Sequence, residues 1–281
     1  MRHLKLLAVL LAVLLLTACG AAPKEQGAIA ATTAPVAQFA ESIAEGTNLA
    51  ITQVVTDSVS CLHDYSLSVR QMETIEKSPV VLISGAGLEG FMGDALKAAD
   101  KVVDCSAGME LRQLDGHDDP HIWLDPSRAK IMAENICQGL SEVYPEHKDR
   151  FRTNTDALVQ QLEELRSYGE TALQDVSCRE LITFHDGFSY LAEAMNLEIL
   201  AAVEEESGSE ASAADLMEII DLVKTHNLPA IFTEKNGSDA AASVIHTETG
   251  VETFQLDTAM GGSDYFEAMT HNFDTLKEAL Q

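Results

Sequence analysis

The amino-acid sequence predicts an α/β fold of two lobes, each a parallel-rich sheet flanked by helices, joined by one long rigid helix. Short apolar or β-branched runs alternate with amphipathic segments, a pattern typical of βαβ units and parallel sheets. The alternation stops over residues 145–176, which are rich in helix formers and contain no strand-like run. About 30 helical residues at 1.5 Å each would span roughly 45 Å, which is longer than one lobe needs. The alternative is a long surface helix on a single domain.

The predicted N-terminal lobe covers residues 46–144, and the predicted C-terminal lobe covers residues 177–281. Candidate strands in the first lobe are LAITQVV, PVVLIS and KVVD. Candidate strands in the second lobe are ELITF, LEILAAV, PAIFT and VETFQL. Amphipathic segments such as GLEGFMGDALKAAD and SAADLMEIIDLVKTH lie between them. Residues 145–176 would then be the linking helix between two lobes of ordinary size.

The N-terminus has the pattern of an exported lipoprotein. A short basic segment, MRHLK, precedes the apolar run LLAVLLAVLLL, which is too short for a stop-transfer helix. The run ends in LTAC, which resembles a bacterial lipobox with Cys19 as the lipidated first residue; the alternative is an ordinary signal peptide that contains a cysteine. We expect a signal peptide over residues 1–18 and a membrane tether over residues 19–45, in which the stretch from Gly20 to Pro35 is rich in Ala, Gly, Thr and Pro and suits a flexible tether. The mature protein would be extracytoplasmic, anchored to the bacterial cell membrane by lipid on Cys19.

The chain is strongly acidic, with a net charge of -27 from 18 basic and 45 acidic residues. Removal of Arg2 and Lys5 with the signal peptide would make the mature protein more acidic still. Such a charge repels nucleic acid and attracts cations diffusely. It therefore argues against nucleic acid as a partner but identifies no ligand.

Four cysteines remain after Cys19. In an oxidising compartment they could form disulfides by any of three connectivities, and free buried thiols are the alternative. The sequence leaves this choice open. The four residues are Cys61, Cys105, Cys137 and Cys178.

Three histidines and one aspartate fall where open α/β sheets present their ligand sites. His63 follows the run ITQVVTDSVS, His185 follows ELITF, and Asp257 ends VETFQLD. His121 precedes an Asp-Pro pair, an N-cap and first-turn signal for the helix SRAKIMAENICQGLSEVY. Three neutral imidazoles and one carboxylate form a four-coordinate set suited to zinc.

Acidic residues near these histidines could accept the second imidazole N–H and so fix the tautomer. Helix capping or solvation is the alternative for each acid, and Asp186 is also predicted to cap the helix after His185. His117 stands apart as a candidate auxiliary ligand that could collect the metal before His121 binds it; an ordinary loop histidine is the alternative. The acids are Asp64, Asp119, Asp125 and Asp186.

Six segments behind the lipobox resemble the metal-binding solute receptors of zinc and manganese ABC transporters: CLHDYSLS, DPHIWLDP, FHDGFSYLAEAM, SEASAADLMEIIDLVK, IFTEKNGSDAAASVIHTETG and FQLD. The similarity covers essentially the whole mature domain, and DPHIWLDP and FHDGFSYLA are its most specific parts. Receptors of this family are two-lobed, with a long helix as a backbone and the ion between the lobes. The resemblance implies a monomeric, non-enzymatic receptor that delivers its ion to an ABC transporter permease. Its metal ligands would be His63, His121, His185 and Asp257.

The sequence departs from this family in two places. The long histidine-rich loop common in zinc members is here only DGHDD, with His117 as its one histidine, and the usual Glu-Pro-Ser is Glu-Ala-Ser at Glu210–Ser212. Zinc is nevertheless favoured over the manganese alternative, because a histidine and not a glutamate stands in the third ligand position. The divalent affinity order also places zinc above manganese.

Two enzymatic interpretations compete with the receptor. The segment PVVLISGAGLEG contains a G-x-G-x-x-G pattern at Gly85, Gly87 and Gly90, and Asp104 follows about 20 residues after the first glycine, as in dinucleotide-binding oxidoreductases. Glu89 would set a negative charge beside the pyrophosphate, however, so a tight strand-to-helix turn is the better explanation. A zinc hydrolase would need an open position for water and a general base, and neither H-E-x-x-H nor G-x-S-x-G is present.

Overall fold

The computed structural model describes residues 28–56, 62, 65–114, 116–204, 211–235 and 240–281. In the first half, four parallel strands form a sheet in the order β2-β1-β3-β4, and two short strands form an antiparallel hairpin. The sheet consists of β1 (Ile29–Ala31), β2 (Ile51–Gln53), β3 (Val81–Ile83) and β4 (Val102–Asp104), and the hairpin of β5 (Gln113–Leu114) and β6 (His117–Asp118). The helices are α1 (Ala34–Ala44), α2 (Val69–Lys77), α3 (Gly93–Ala98) and α4 (Pro126–Val143).

The second half contains another parallel sheet, in the order β10-β9-β7-β8. Each strand of this second sheet coincides with a β-branched or apolar run predicted from the sequence. The strands are β7 (Glu180–His185), β8 (Glu198–Glu204), β9 (Ala230–Glu234) and β10 (Glu252–Leu256). The helices are α6 (Ser189–Ala194), α7 (Ala213–His226), α8 (Ala240–Thr249) and α9 (Tyr265–Ala279).

One long helix, α5 (Lys148–Leu173), lies between the two sheets in the chain and has 26 residues. A 3-10 turn at Pro145–His147 precedes it. The helix packs against α1 and α4 of the first half and against α9 of the second, and buries an apolar stripe that includes Phe151, Leu158 and Leu162. The predicted architecture, two parallel sheets flanked by helices with one long helix between them, is confirmed.

The prediction of a membrane tether through residue 45 is wrong for residues 29–44, which form a strand and a helix. The three residues of β1 are fully buried in an interior strand of the first sheet, and α1 buries Val36, Phe39 and Ile43. The sequence did not predict this strand, because an Ala-rich composition suits a linker as well as a strand covered on both faces. The predicted signal peptide and Cys19 lie outside the described residues.

Of the two helix caps predicted from the sequence, the cap at Asp125 is confirmed and the cap at Asp186 is not. The carboxylate of Asp125 accepts the N–H of Ser127 at the start of α4, as predicted. Ser212 and Asp215 form a reciprocal capping box at α7, so this helix has a defined start without the family's proline. The prediction for Asp186 is wrong: α6 begins at Ser189 after a turn. Within the described ranges, no helix has the length and apolar character needed to cross a bilayer.

Candidate metal centre

The carboxyl ends of the second sheet's strands bring three polar side chains to one edge. His185 is the last residue of β7, Glu234 is the last residue of β9, and Asp257 directly follows β10. All three are buried, with 3–4% of each residue exposed. Parallel strands end at the same edge of a sheet, so the topology places these groups together beside the first half of the chain.

His121 approaches this edge from the other half of the chain. It lies just before a 3-10 turn that leads into α4, and its Nε2 is 3.1 Å from Nε2 of His185. The ring centroids are 4.9 Å apart, with the rings nearly perpendicular. The structure therefore brings together two of the predicted ligands, one from each half.

Asp119 orients the His121 imidazole. Its Oδ1 lies 2.9 Å from Nδ1 of His121 and also accepts the His121 backbone N–H at 3.0 Å. A carboxylate accepts the Nδ1 proton, so the neutral ring keeps its lone pair on Nε2, the nitrogen that faces His185. The sequence allowed this contact for Asp119 beside the alternative of helix capping or solvation.

Gly187 is required by the close approach of the two rings. A Cβ at this position would stand 2.6 Å from Nε2 of His185 and 3.1 Å from Cδ2 of His121. Any side chain there would displace an imidazole. The same turn explains why Asp186 does not cap α6, since two further residues separate it from the first residue of that helix.

The chain's one tryptophan fixes the distance between the His121 and Asp257 loops. Nε1 of Trp123 donates to the carbonyl of Thr258 at 2.8 Å, and the Tyr265 hydroxyl donates to the carbonyl of Trp123 at 2.7 Å. Gln38 of α1 adds two hydrogen bonds to the same loop, through Ser263 and Tyr265. Buried hydrogen bonds between backbone carbonyls and aromatic donors hold both loops against each other.

The carboxylate of Asp257 is held by donors of its own half. Oδ2 accepts hydrogen bonds from Nζ of Lys235 at 3.0 Å and from Oγ of Ser263 at 2.8 Å, and Oδ1 accepts the Ala259 N–H at 2.8 Å. Burial would raise the pKa of the Asp257 carboxyl, but the bonds from Lys235, Ala259 and Ser263 outweigh it and hold that pKa below its usual value. Asp257 is therefore a carboxylate in this structure.

Glu234 was missed in the sequence. Its Oε1 is 3.6 Å from Nε2 of His185, the atom that also faces His121. The segment TEKNG reads as a polar turn, yet Glu234 ends β9 at the same sheet edge as His185 and Asp257. The position at a strand end, which identified His185 and Asp257 as candidates, was therefore a signal for Glu234 too.

The remaining predicted residues divide into two groups. His63 and Asp64 lie outside the described residues. His117 is exposed on β6, in contrast to the buried His121. Among the residues that the structure describes, no three His, Cys, Asp or Glu side chains are arranged to hold a metal ion. The contribution of His63 and the combination of all four ligands thus stay predictions.

The described cysteines are not paired. Cys105 and Cys137 are buried free thiols, and Cys178 is a free, half-buried thiol. Burial raises the pKa of the Cys105 thiol well above its usual value, so this residue is a small apolar group in the core. Cys61 lies outside the described residues.

In the glycine-rich turn at residues 85–90, a side chain of the turn itself, Glu89, binds backbone N–H groups. Glu89 accepts hydrogen bonds from the backbone N–H groups of Ser84 at 2.7 Å and Gly85 at 3.0 Å, and from the Thr32 hydroxyl at 2.6 Å. In a dinucleotide site, N–H groups of such a turn would contact the pyrophosphate. The pattern therefore forms a tight strand-to-helix turn around a buried carboxylate.

Comparison with known proteins agrees with this fold. The zinc-binding lipoprotein AdcA of Streptococcus pneumoniae is 28% identical, over 99% of this chain and 61% of the relative. The chain thus spans about three fifths of that relative's length. The high-affinity zinc uptake system protein ZnuA of Bacillus subtilis is 25% identical, over 78% of this chain and 77% of the relative.

Solved structures match over nearly the whole described chain. A crystal structure of ZnuA superposes with a TM-score of 0.84 at 26% identity, covering 92% of this chain and 100% of that one. The structure of AdcAII of Streptococcus pneumoniae gives a TM-score of 0.81 at 28% identity, with the same two coverages. The family model described as zinc-uptake complex component A, periplasmic (ZnuA), matches residues 29–279. The chain belongs to this ZnuA family.

Proposed function

We propose that the protein captures Zn²⁺ between its two halves and delivers it to the permease of an ABC transporter. The observation that carries this proposal is the buried pair of His121 and His185, whose Nε2 atoms are 3.1 Å apart and come from opposite halves. Two imidazole nitrogens at this distance can turn toward one metal ion at the usual Zn–N length of about 2.0–2.1 Å. The relatives' names, zinc-binding lipoprotein and zinc uptake system protein, support the same ion.

The proposed ligands are His63, His121, His185 and Asp257. Asp257 lies at the same sheet edge as His185, and Trp123 ties its loop to the His121 segment. Imidazole-rich sites favour zinc over manganese, and zinc also stands higher in the divalent affinity order. Manganese is therefore the weaker alternative.

The proposed site binds its ion without catalysing a reaction. Four protein ligands fill a tetrahedral zinc site and leave no position for a reactive water, so a zinc hydrolase is disfavoured. In this proposal, lipid on Cys19 holds the protein at the outer face of the bacterial cell membrane, where it acts as a monomer beside the permease. Two acyl chains give stable membrane retention.

Zinc titration of metal-free protein against a chromophoric chelator tests the proposal. One tight site per chain is expected, with His121→Ala and His185→Ala each weakening zinc binding by at least about 100-fold, because a ligand is lost. His246→Ala is the matched control, since His246 of α8 is exposed and donates to the Val251 carbonyl. Equal losses from all three substitutions would indicate diffuse acidic chelation and contradict the proposal.

A further inference from the structure

The carboxylate of Asp257, which we propose as a zinc ligand, is paired with a lysine ammonium. Nζ of Lys235 lies 3.0 Å from Oδ2 of Asp257 and 3.1 Å from Oγ of Ser263, which itself donates to Oδ2 at 2.8 Å. Lysine, serine and carboxylate thus form a closed triangle. The only charged donor in that triangle is the Lys235 ammonium.

The strand register fixes this lysine beside the aspartate. Glu234 pairs with Leu256 across β9 and β10, so the residues that follow them, Lys235 and Asp257, are neighbours at the sheet edge. The Lys235 backbone N–H donates to the Leu256 carbonyl at 2.8 Å. The lysine backbone is therefore anchored by the sheet.

The two side chains differ in their freedom to move. The Asp257 side chain is 5% exposed, whereas 52% of the Lys235 side chain is exposed. Lysine carries its charge on a flexible four-carbon chain with no fixed bidentate geometry. Lys235 can therefore leave the carboxylate for solvent without moving its backbone.

We propose that the Lys235 ammonium is the counter-ion of Asp257 in the metal-free protein and that the incoming zinc ion displaces it. This inference rests on the proposed function, because it takes Asp257 as a ligand. A zinc ion bound to the carboxylate at about 2.0–2.2 Å would stand roughly 4–5 Å from an ammonium that stayed in place. The repulsion between the two cations moves the lysine into solvent.

Displacement makes zinc binding an exchange of one cation for another. The empty site keeps a paired carboxylate instead of an isolated buried charge, which would be costly. The same pairing lowers zinc affinity, because the ion must break the Lys235–Asp257 contact. When the ion leaves, the lysine returns to the carboxylate, so Lys235 limits affinity and assists release.

The test compares Lys235→Met, which removes the charge but keeps the length, with Lys235→Arg, which keeps the charge. Competition against a chromophoric chelator should show about three- to tenfold tighter zinc binding for Lys235→Met, as expected for a partly exposed ion pair. Its metal-free form should melt at a lower temperature than the wild type. Lys235→Arg should retain affinity near the wild-type value. Lys224→Met, on an exposed position of α7, controls for the change in net charge.

Unchanged or weaker zinc binding by Lys235→Met, with Lys224→Met at wild-type affinity, would overturn the inference. A lower Tm in both metal-free and zinc-loaded protein, without a gain in affinity, would assign Lys235 a purely structural role and also overturn it. Asp257→Asn separates this inference from the proposed function. If Asp257→Asn binds zinc with wild-type affinity while His121→Ala loses zinc, the role of Lys235 is contradicted and zinc capture is still supported. If both variants bind zinc with wild-type affinity, zinc capture itself is contradicted.

Discussion

Glu89 in the first half and Asp257 in the second half are both buried carboxylates, and they are held in opposite ways. Glu89, beside the first sheet, accepts two backbone N–H groups and the Thr32 hydroxyl. Asp257, beside the second sheet, accepts hydrogen bonds from the half-exposed Lys235, from a serine hydroxyl and from one backbone N–H. The donors of Glu89 belong to the strand ends and the turn and cannot leave, whereas the lysine can. A buried carboxylate thus fixes a loop when its donors are neutral backbone groups, and it remains exchangeable when its main donor is a mobile charge.

The two carboxyl groups also differ in their pKa. Burial raises the pKa of Glu89, and the bonds from Thr32, Gly85 and Ser84 oppose this rise without cancelling it. At Asp257 the balance is reversed, since Lys235, Ala259 and Ser263 outweigh burial and lower the pKa. The Lys235 ammonium is among the groups that lower the pKa of Asp257, whereas the hydrogen-bond donors of Glu89 are all neutral.

Glu89→Ala should give the largest effect on stability. The substitution leaves two backbone N–H groups and one hydroxyl buried without their acceptor, which should cost about 3 kcal/mol of unfolding free energy. Urea denaturation of metal-free protein measures this loss. Zinc affinity should stay at the wild-type value, because Glu89 binds only its own turn; a large loss of affinity would mean that the turn also shapes the metal site.

Asp257→Asn should give the opposite result, a large loss of zinc binding with a small change in stability. Loss of even a hydrogen-bonding partner of a ligand weakens metal binding about 10- to 100-fold, so loss of the ligand charge should reach about 100-fold. The asparagine still accepts the Ala259 N–H, which preserves the loop. Chelator competition and urea denaturation on the same sample measure both quantities. A stability loss as large as that of Glu89→Ala would contradict the distinction drawn between the two carboxylates.

Asp119→Ala extends the comparison to a third buried carboxylate, which orients a ligand instead of binding the ion. Without Asp119, the His121 ring loses the acceptor that fixes its tautomer, and zinc affinity should fall about tenfold. The indole of Trp123 lies 5.4 Å from the His121 ring and is the chain's one tryptophan. Its fluorescence therefore provides a titration signal for zinc binding in wild type and variant. Wild-type affinity in Asp119→Ala would show that the His121 ring needs no partner.

The sequence predicted most of the fold because its strands carry a strong local signal. The seven predicted runs are β-branched or apolar, and each became a strand of one of the two sheets. The strand Ile29–Ala31 was missed because two of its three residues are alanines in a segment rich in small residues. Alanine carries little information about burial, so composition alone could not separate this strand from a tether.

The candidate site was predictable where position along a strand decides it. His185 and Asp257 were found because each follows an apolar run, and His121 because it precedes a helix start. Lys235 could not be assigned to Asp257, since the contact depends on the register between β9 and β10 and on side-chain reach across two strands. Such side-chain pairs depend on tertiary structure, so the spacing of residues along the sequence does not predict them.

The smallest expected effect concerns acid stability, where the two carboxyl groups should act with opposite sign. The pKa of Glu89 is raised in the folded protein, so the native state holds its proton more tightly than the unfolded chain, and stability falls as pH rises through that range. The pKa of Asp257 is lowered, so its contribution is present above the unfolded value and is lost as pH falls through the folded value.

Urea denaturation of metal-free protein between about pH 3 and 7 measures this difference through Glu89→Gln and Asp257→Asn, with each shift of one pKa unit worth about 1.4 kcal/mol. The stability advantage of wild type over Glu89→Gln should shrink as pH rises. The advantage over Asp257→Asn should instead grow with pH, because the Lys235 partnership requires the ionised carboxylate. Parallel slopes for the two variants would show that the lysine and the backbone donors act alike, and the contrast between the two halves would then rest on geometry alone.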